Sequence, residues 1–266
     1  MEKLYIIKIG GNVVDDESAL AQFLDNFAAI QGNKILVHGG GKLATRIAEA
    51  MGIQQQMIEG RRITDAQTLK IVTMVYAGYI NKNIVAQLQY HQCNAIGLSG
   101  ADGNAILAHK RNNQDALGKS IDYGFVGDID RVNAKFIDQL IKQGNTPVIA
   151  PITHNGEGQL LNTNADTIAQ ETAVEMAALY ETILIYSFEK SGVLLDTNNE
   201  ASVIKELKPA YYLELKNKQV IYAGMIPKLD NAFTAIDKGV SKVIIGKAEL
   251  LNLLIHQQSG TTITNG

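Results

Sequence analysis

Short apolar runs recur along the chain at residues 4–9, 35–37, 95–98, 147–150, 183–185 and 243–245. They lack strict polar alternation, as expected of parallel strands covered on both faces, and longer amphipathic stretches separate them. After Asp16, the residues Leu20, Phe23, Leu24 and Phe27 fall on one helical face, which predicts a first crossover helix ending at Gly32 as a left-handed cap. Thr64 and Gln67 have capping-box spacing, and Leu69, Val72, Tyr76, Ile80 and Ile84 continue an apolar stripe behind them. That stripe predicts a long helix available to pack against a partner subunit. Further helices are predicted over 135–143 before Gly144, over 165–179, and over 227–238 before Gly239. Between Gly103 and Val132 the pattern becomes polar and glycine-rich around Tyr123, Gly124, Phe125, Val126 and Gly127, as inserted hairpins would. The alternation of strand and helix predicts an α/β fold with a mainly parallel sheet.

The 266 residues are 46% hydrophobic, enough for a substantial core in one large domain or two coupled lobes. With 24 basic and 27 acidic residues the formal charge is −3, which gives no general attraction for nucleic acid or anionic lipid. Anion binding must therefore be local. The single cysteine, Cys93, excludes an internal disulfide and sits in an apolar setting that favours packing over reactivity. No basic-then-apolar leader and no apolar stretch of membrane-spanning length is present, so a cytoplasmic enzyme is expected.

Four segments carry candidate chemistry. Lys8 ends a predicted strand with Gly10 and Gly11 after it, so that an ammonium and bare backbone N–H groups can face one anion. A structural strand-end turn explains such a pair equally well. His38, Gly39, Gly40, Gly41 and Lys42 follow the next strand and open a helix whose N–H groups suit phosphate or carboxylate. His38 reads as a packed imidazole rather than a ligand, and Lys42 as a solvated residue. Asn162, Thr163, Asn164, Ala165 and Asp166 crowd the entrance to an apolar helix, where capping alone would account for Asn164. Gly224, Met225, Ile226, Pro227 and Lys228 place a proline at a helix start and a lysine in its first turn, ordinarily an exposed position.

Two other patterns compete. Gly39, Gly41 and Ala44 match a dinucleotide fingerprint, with Glu59 near the ribose-binding position, and suggest an NAD(P)-dependent dehydrogenase. That reading leaves Lys8, Gly10 and Gly11 unexplained. Gly118, Lys119 and Ser120 suggest a phosphate loop, but the required upstream glycine is Asn113.

Taken in order, Lys8/Gly10/Gly11, the Gly39–Gly41 loop, the 162–166 segment and Lys228 resemble the amino acid kinase family, and within it the members acting on acylglutamates. Gly60, Arg61, Arg62, Ile63 and Thr64, the Asp102–Gly103 turn and the 124–127 stretch extend the resemblance over essentially the whole chain. It implies a three-layer αβα sandwich around a mainly parallel sheet in two lobes, residues 1–170 binding the acylglutamate and dimerising, residues 171–266 binding ATP with Mg²⁺. The implied substrate is an N-acyl-L-glutamate, phosphorylated on its γ-carboxylate in arginine biosynthesis, with the acetyl compound first and the succinyl compound as alternative. Glutamate 5-kinase, carbamate kinase, aspartokinase, UMP kinase and a nucleotide-binding regulator without turnover are the other readings.

By the same resemblance, Lys8 and Lys228 neutralise the transferring phosphoryl group and Asp166 holds their ammonium groups. Gly11 and Gly40 donate backbone N–H bonds, Arg62 and Asn162 grip the α-carboxylate, Gly41 lies near the acyl group and Asn164 supports. The Asp-x-x-Gly turn usual in the nucleotide lobe is here Glu189, Lys190, Ser191 and Gly192, a departure at a nucleotide-binding position. The first strand begins at Leu4, leaving no room for the N-terminal helix associated with arginine-inhibited hexamers, so a homodimer without that feedback is expected. The chemistry suits this residue set. A carboxylate, with an ordinary pKa of about 4.3, attacks already ionised and needs no general base, so alignment and charge stabilisation suffice.

Overall fold

The computed structural model describes residues 1–54, 56–58, 61–114, 120–221 and 225–265. The readings placed on Glu59, Gly60, Gly118, Lys119 and Gly224 lie outside them. Residues 1–36 and 169–266 form one compact unit and residues 37–168 another. The units do not follow a single cut near residue 170, because the first strand takes its hydrogen bonds from a strand beyond it. Lys3–Ile9 pairs in parallel with Glu181–Phe188, from Lys3 opposite Glu181 to Ile9 opposite Ser187.

In the unit containing both termini, Glu181–Phe188 also pairs in parallel with Lys242–Lys247. It is therefore central, and Leu184 and Ile185 are fully buried. This is the continuous burial that its uninterrupted apolar run requires. Thr261–Ile263 adds antiparallel to Lys242–Lys247, and Glu206–Leu207 adds in parallel at the edge.

The helix Glu17–Ala29 buries Leu20, Phe23, Leu24 and Phe27 and packs against the helix Leu251–Ile255, and Asp16 accepts from the Ala19 N–H at 2.9 Å to cap its start. Each such apolar side chain contributes about 1.5–3 kcal/mol by leaving water. The helix end differs from expectation. Gly32 is left-handed (φ +93) but lies beyond the cap, which is Ile30 in extended conformation. The exposed carbonyls are met by a lysine: Lys34 Nζ donates to Ala28 O at 2.8 Å and Ile30 O at 2.7 Å. A cation at a helix C-terminus satisfies both the orphan carbonyls and the dipole, so no glycine cap is needed.

In the unit 37–168, Thr146–Ile149 pairs in parallel with Ala95–Leu98. A second sheet has the order Leu160–Asn162, Ile152–His154, Ile106–Lys110, Gly127–Val132, the last pair being the predicted hairpin. Buried Cys93 precedes Ala95–Leu98, its Sγ 3.5 Å from Thr146 Oγ1, as packing rather than reactivity requires. The long helical stretch consists of Ala66–Thr73, a π-helical segment Met74–Ile80 and Asn81–Tyr90. Leu69, Val72, Tyr76, Ile80 and Ile84 are all buried, as the stripe predicts. The cap is shifted by one residue from the expected one: Asp65, not Thr64, accepts from the Thr68 N–H at 2.7 Å. Thr64 is instead fully buried and used elsewhere. Among the described residues no helix is long and apolar enough to cross a membrane.

Candidate functional site

Each unit holds a cavity lined by residues that the sequence singled out. In the unit 37–168 a cleft of about 210 Å³ is lined by Gly39, Gly40, Gly41, Arg62, Tyr76 and Asn162, among others. The strand Asn33–His38 delivers the glycine loop, and the helix Gly41–Ala50 leaves it with no side-chain cap. Its first N–H groups therefore remain available as donors at the positive end of a helix. Gly40 has φ +149, and a Cβ there would come within 2.2 Å of Ile80 Cδ1. Glycine is thus favoured by the backbone conformation, and a side chain there would have to displace the tip of Ile80 in the π-helical segment. π-Helical turns often occur at functional sites, and this one carries Tyr76 into the cleft lining.

Arg62 is 9% exposed. Its Nη2 donates to Gly41 O at 3.0 Å and to Thr45 Oγ1 at 2.9 Å. Thr64 Oγ1 donates to Arg62 O at 3.2 Å and accepts from Asn162 Nδ2 at 3.0 Å. The polar, glycine-rich stretch supplies the scaffold: Thr64 N–H donates to Tyr123 O, Phe125 N–H to Thr64 O, and Asn162 N–H to Phe125 O. Gly124 (φ +73) permits this stitching, since a Cβ would lie 2.2 Å from Thr64 O. Arg62 and Asn162, a hundred residues apart, are brought to one cleft this way.

Asn164 Oδ1 accepts from Asp166 N–H at 2.8 Å and Thr167 N–H at 3.2 Å. It caps the helix Ala165–Met176, and Asp166 stands in that helix's first turn. His38 is fully buried, with Nδ1 2.8 Å from Gly39 O and Nε2 3.2 Å from Asn81 Nδ2. Its pKa falls to about 4 because burial outweighs the bond to Gly39, helped by the nearby charge of Lys82. It is the packed imidazole expected, and Lys42 is exposed.

In the unit of the termini, Lys8 stands at the end of its strand and Gly10 follows in ordinary extended conformation (φ −81). No unusual dihedral demands glycine at position 10. A Cβ there would sit 3.9 Å from Lys8 Nζ, an ordinary van der Waals contact, so space does not demand glycine either. Lys228 lies in the first turn of the helix Ile226–Asp237, with Nζ 4.7 Å from the Tyr186 ring centroid and 5.9 Å from that of Phe188. It is not the freely solvated lysine its helix-start position suggests.

Beside Lys228 is a slot of about 280 Å³ with apolar walls from Phe188, Val193, Leu194, Ile221 and Met225, and with Glu189 and Gly192 in its lining. Gly192 (φ +152) allows close approach to Thr261, whose Oγ1 would be 2.7 Å from a Cβ. The turn 189–192 is tied to Glu200, which accepts from Ser191 N–H at 3.1 Å and from Ser191 Oγ, and pairs with Lys190 at 3.4 Å. The Ser191 bonds hold the Glu200 carboxyl below its ordinary pKa. Among the described residues no group of three His, Cys, Asp or Glu is placed to hold a metal ion.

Several lining residues escaped the sequence reading. Tyr76 was legible only as a core position of the stripe. Thr64, which bonds to Arg62 and Asn162 behind the lining, was legible as a cap and within the 60–64 stretch. Val193, Leu194 and Ile221 look like any core residues, and only the folded slot distinguishes them.

The model of the amino acid kinase family matches residues 3–247. An acetylglutamate kinase of Cytophaga hutchinsonii is 57% identical over 257 residues, covering 97% of this chain and 96% of that protein. One of Phocaeicola vulgatus is 55% identical, covering 98% of each. Among solved structures, a Streptococcus mutans protein superposes with a TM-score of 0.78 at 27% identity, covering 99% of both chains.

Proposed function

The chain belongs to the amino acid kinase family, and on that premise we propose that it transfers the γ-phosphoryl group of ATP to the γ-carboxylate of N-acetyl-L-glutamate. The product is the acyl phosphate of arginine biosynthesis, and the relatives named acetylglutamate kinase support this reading. The observation that carries it is the meeting of Arg62, Asn162 and the Gly39–Gly41 loop around one cleft. A cation, an amide and bare N–H groups are the donors that an amino acid's α-carboxylate and acyl carbonyl call for.

In this reading Arg62 and Asn162 take the α-carboxylate, Gly40 donates through its N–H, and Gly41 faces the acyl group. The apolar slot receives the adenine of ATP against Phe188, Val193 and Met225, with Glu189 and Gly192 beside it. Mg²⁺ enters with the ATP phosphates. One γ-carboxylate oxygen forms a bond to the γ-phosphorus, the bond to the β–γ bridging oxygen breaks, and ADP leaves with that electron pair. No proton transfer is needed, since the attacking oxygen is ionised. Lys8 and Lys228 neutralise the phosphoryl group in transit, with Gly10 and Gly11 as neighbouring donors. Asp166 takes the organising role implied by the family resemblance. We place the enzyme in the cytoplasm as a homodimer packed through the long helix, where Met74, Tyr79 and Tyr90 are exposed.

A coupled ADP-release assay with N-acetyl-L-glutamate, N-succinyl-L-glutamate, L-glutamate and carbamate tests the reading. Turnover should be highest with the acetyl compound. Faster turnover of the succinyl compound would reassign the acyl group, and no turnover of either acylglutamate would overturn the proposal.

A further inference from the structure

Behind the glycine loop lies a chain of polar contacts, running from exposed Lys82 to buried Asn81 and His38, to which none of the roles above is given. Lys82 Nζ donates to Asn81 Oδ1 at 3.1 Å and to Gly97 O at 3.0 Å. Asn81 Nδ2 donates to Val148 O at 3.0 Å and faces His38 Nε2 at 3.2 Å. His38 Nδ1 faces Gly39 O at 2.8 Å. Asn81 is 1% exposed and His38 0%.

The proton assignments follow from what each group can do. An ammonium only donates, so the Asn81 atom facing Lys82 is its oxygen. A backbone carbonyl only accepts, so the atom facing Val148 O is the amide nitrogen. That nitrogen donates to His38 Nε2, which must supply a lone pair, and the imidazole hydrogen is therefore on Nδ1. Nδ1–H then donates to the Gly39 carbonyl. Each link is determined by the one before it, from Lys82 to the loop.

The fold makes room for this chain at a cost. Gly97 lies inside the strand Ala95–Leu98, where glycine is unfavourable. A Cβ there would be 2.0 Å from Asn81 Oδ1 and 2.7 Å from Lys82 Nζ. Its absence of side chain is what admits the amide and the ammonium.

We propose that His38 and Asn81 are positioning residues that set the direction of the Gly39–Gly40 peptide and hence of the Gly40 N–H in the cleft. The carbonyl of Gly39 and the N–H of Gly40 belong to one planar trans peptide and point in opposite directions. Holding the carbonyl on the imidazole fixes the donor on the other side. Gly40, at φ +149, has wide freedom without such a tether. This inference rests on the reading of Gly40 as a donor to the acylglutamate.

The test compares His38→Asn, whose amide reaches the place of Nδ1, with His38→Leu, which donates nothing. Loss of an aimed donor predicts that His38→Leu raises the acylglutamate KM about tenfold with the ATP KM changed less than about twofold. His38→Asn should show a clearly smaller rise. Wild-type turnover is measured first, because its absence overturns the functional reading alone. Two magnetic-resonance measurements then decide the positioning without activity: the wild-type imidazole should carry its proton on Nδ1, and the Gly40 amide signal should move in His38→Leu more than in His38→Asn. A proton on Nε2, or a Gly40 amide unmoved in both variants, would overturn the inference. Should His38→Leu not fold, the wild-type tautomer and His38→Asn still decide it.

Discussion

The ammonium of Lys228 lies 4.7 Å from the centroid of the Tyr186 ring, and the backbone of Tyr186 pairs in register with Lys8. One buried aromatic residue therefore neighbours both lysines, Lys8 across the parallel pair and Lys228 over the ring face. A cation held on a desolvated ring gains about 0.5–2 kcal/mol. The ring attracts the ammonium through its quadrupole and carries no negative charge of its own.

Both lysines should matter to turnover. Removing one well-aimed electrostatic donor typically costs about 3 kcal/mol, or about 10²–10³ in rate. Lys8→Ala and Lys228→Ala should each lower kcat by that order, and near-wild-type kcat in both would contradict their roles. Steady-state ADP release with saturating substrates measures it.

Arg62 separates the two substrates. A charged hydrogen bond is worth about 1.5–3 kcal/mol, so Arg62→Ala should raise the acylglutamate KM about 10–100-fold and leave that for ATP nearly unchanged. An equal rise for both would argue against its placement. Since Arg62 also tethers Gly41 O and Thr45 Oγ1, a thermal melt of the variant should accompany the kinetics.

Two glycines differ in what surrounds them. Gly40→Ala meets the tip of a flexible side chain, Ile80 Cδ1, whereas Gly124→Ala meets the backbone carbonyl of Thr64. Both sit at positive φ, a strain of about 1–3 kcal/mol for a non-glycine residue. Ile80 can yield and a backbone carbonyl cannot, so Gly124→Ala should be the more destabilising in urea unfolding. The reverse order would mean that the loop 123–126 is less tightly tied to Thr64 than its hydrogen bonds indicate.

His38 makes stability depend on pH in a defined window. Its folded pKa, about 4, lies below the ordinary 6.5, because burial and then, after the opposing bond to Gly39, the charge of Lys82 disfavour the imidazolium. The unfolded chain thus binds the extra proton first as pH falls. Its contribution is fully present above pH 6.5 and is lost progressively between 6.5 and 4, by about 3 kcal/mol in total. Urea midpoints of wild type and His38→Asn at pH 7.5 and 4.5 should show a steeper acid loss in wild type. Parallel loss in both would refute the assignment.

The sequence by itself determined the elements whose periodicity records their own burial. The central strands, the buried face of Glu17–Ala29 and the stripe from Leu69 to Ile84 were legible because apolar spacing is set by which side of an element leaves water. Order along the chain also singled out the Gly39–Gly41 loop, Arg62 and Asn162, which line one cleft. Tertiary structure decided the rest, because it depends on groups far apart in the chain. Lys34 rather than Gly32 ends the first helix, Asp65 rather than Thr64 caps the long one, and Thr64 is taken by Asn162 98 residues away. Lys228 reaches over the Tyr186 ring, and Gly97 became intelligible only as space for Asn81 and Lys82. A hydrogen bond or a close approach leaves no period in a sequence, so such partners emerge only when the fold brings them within reach.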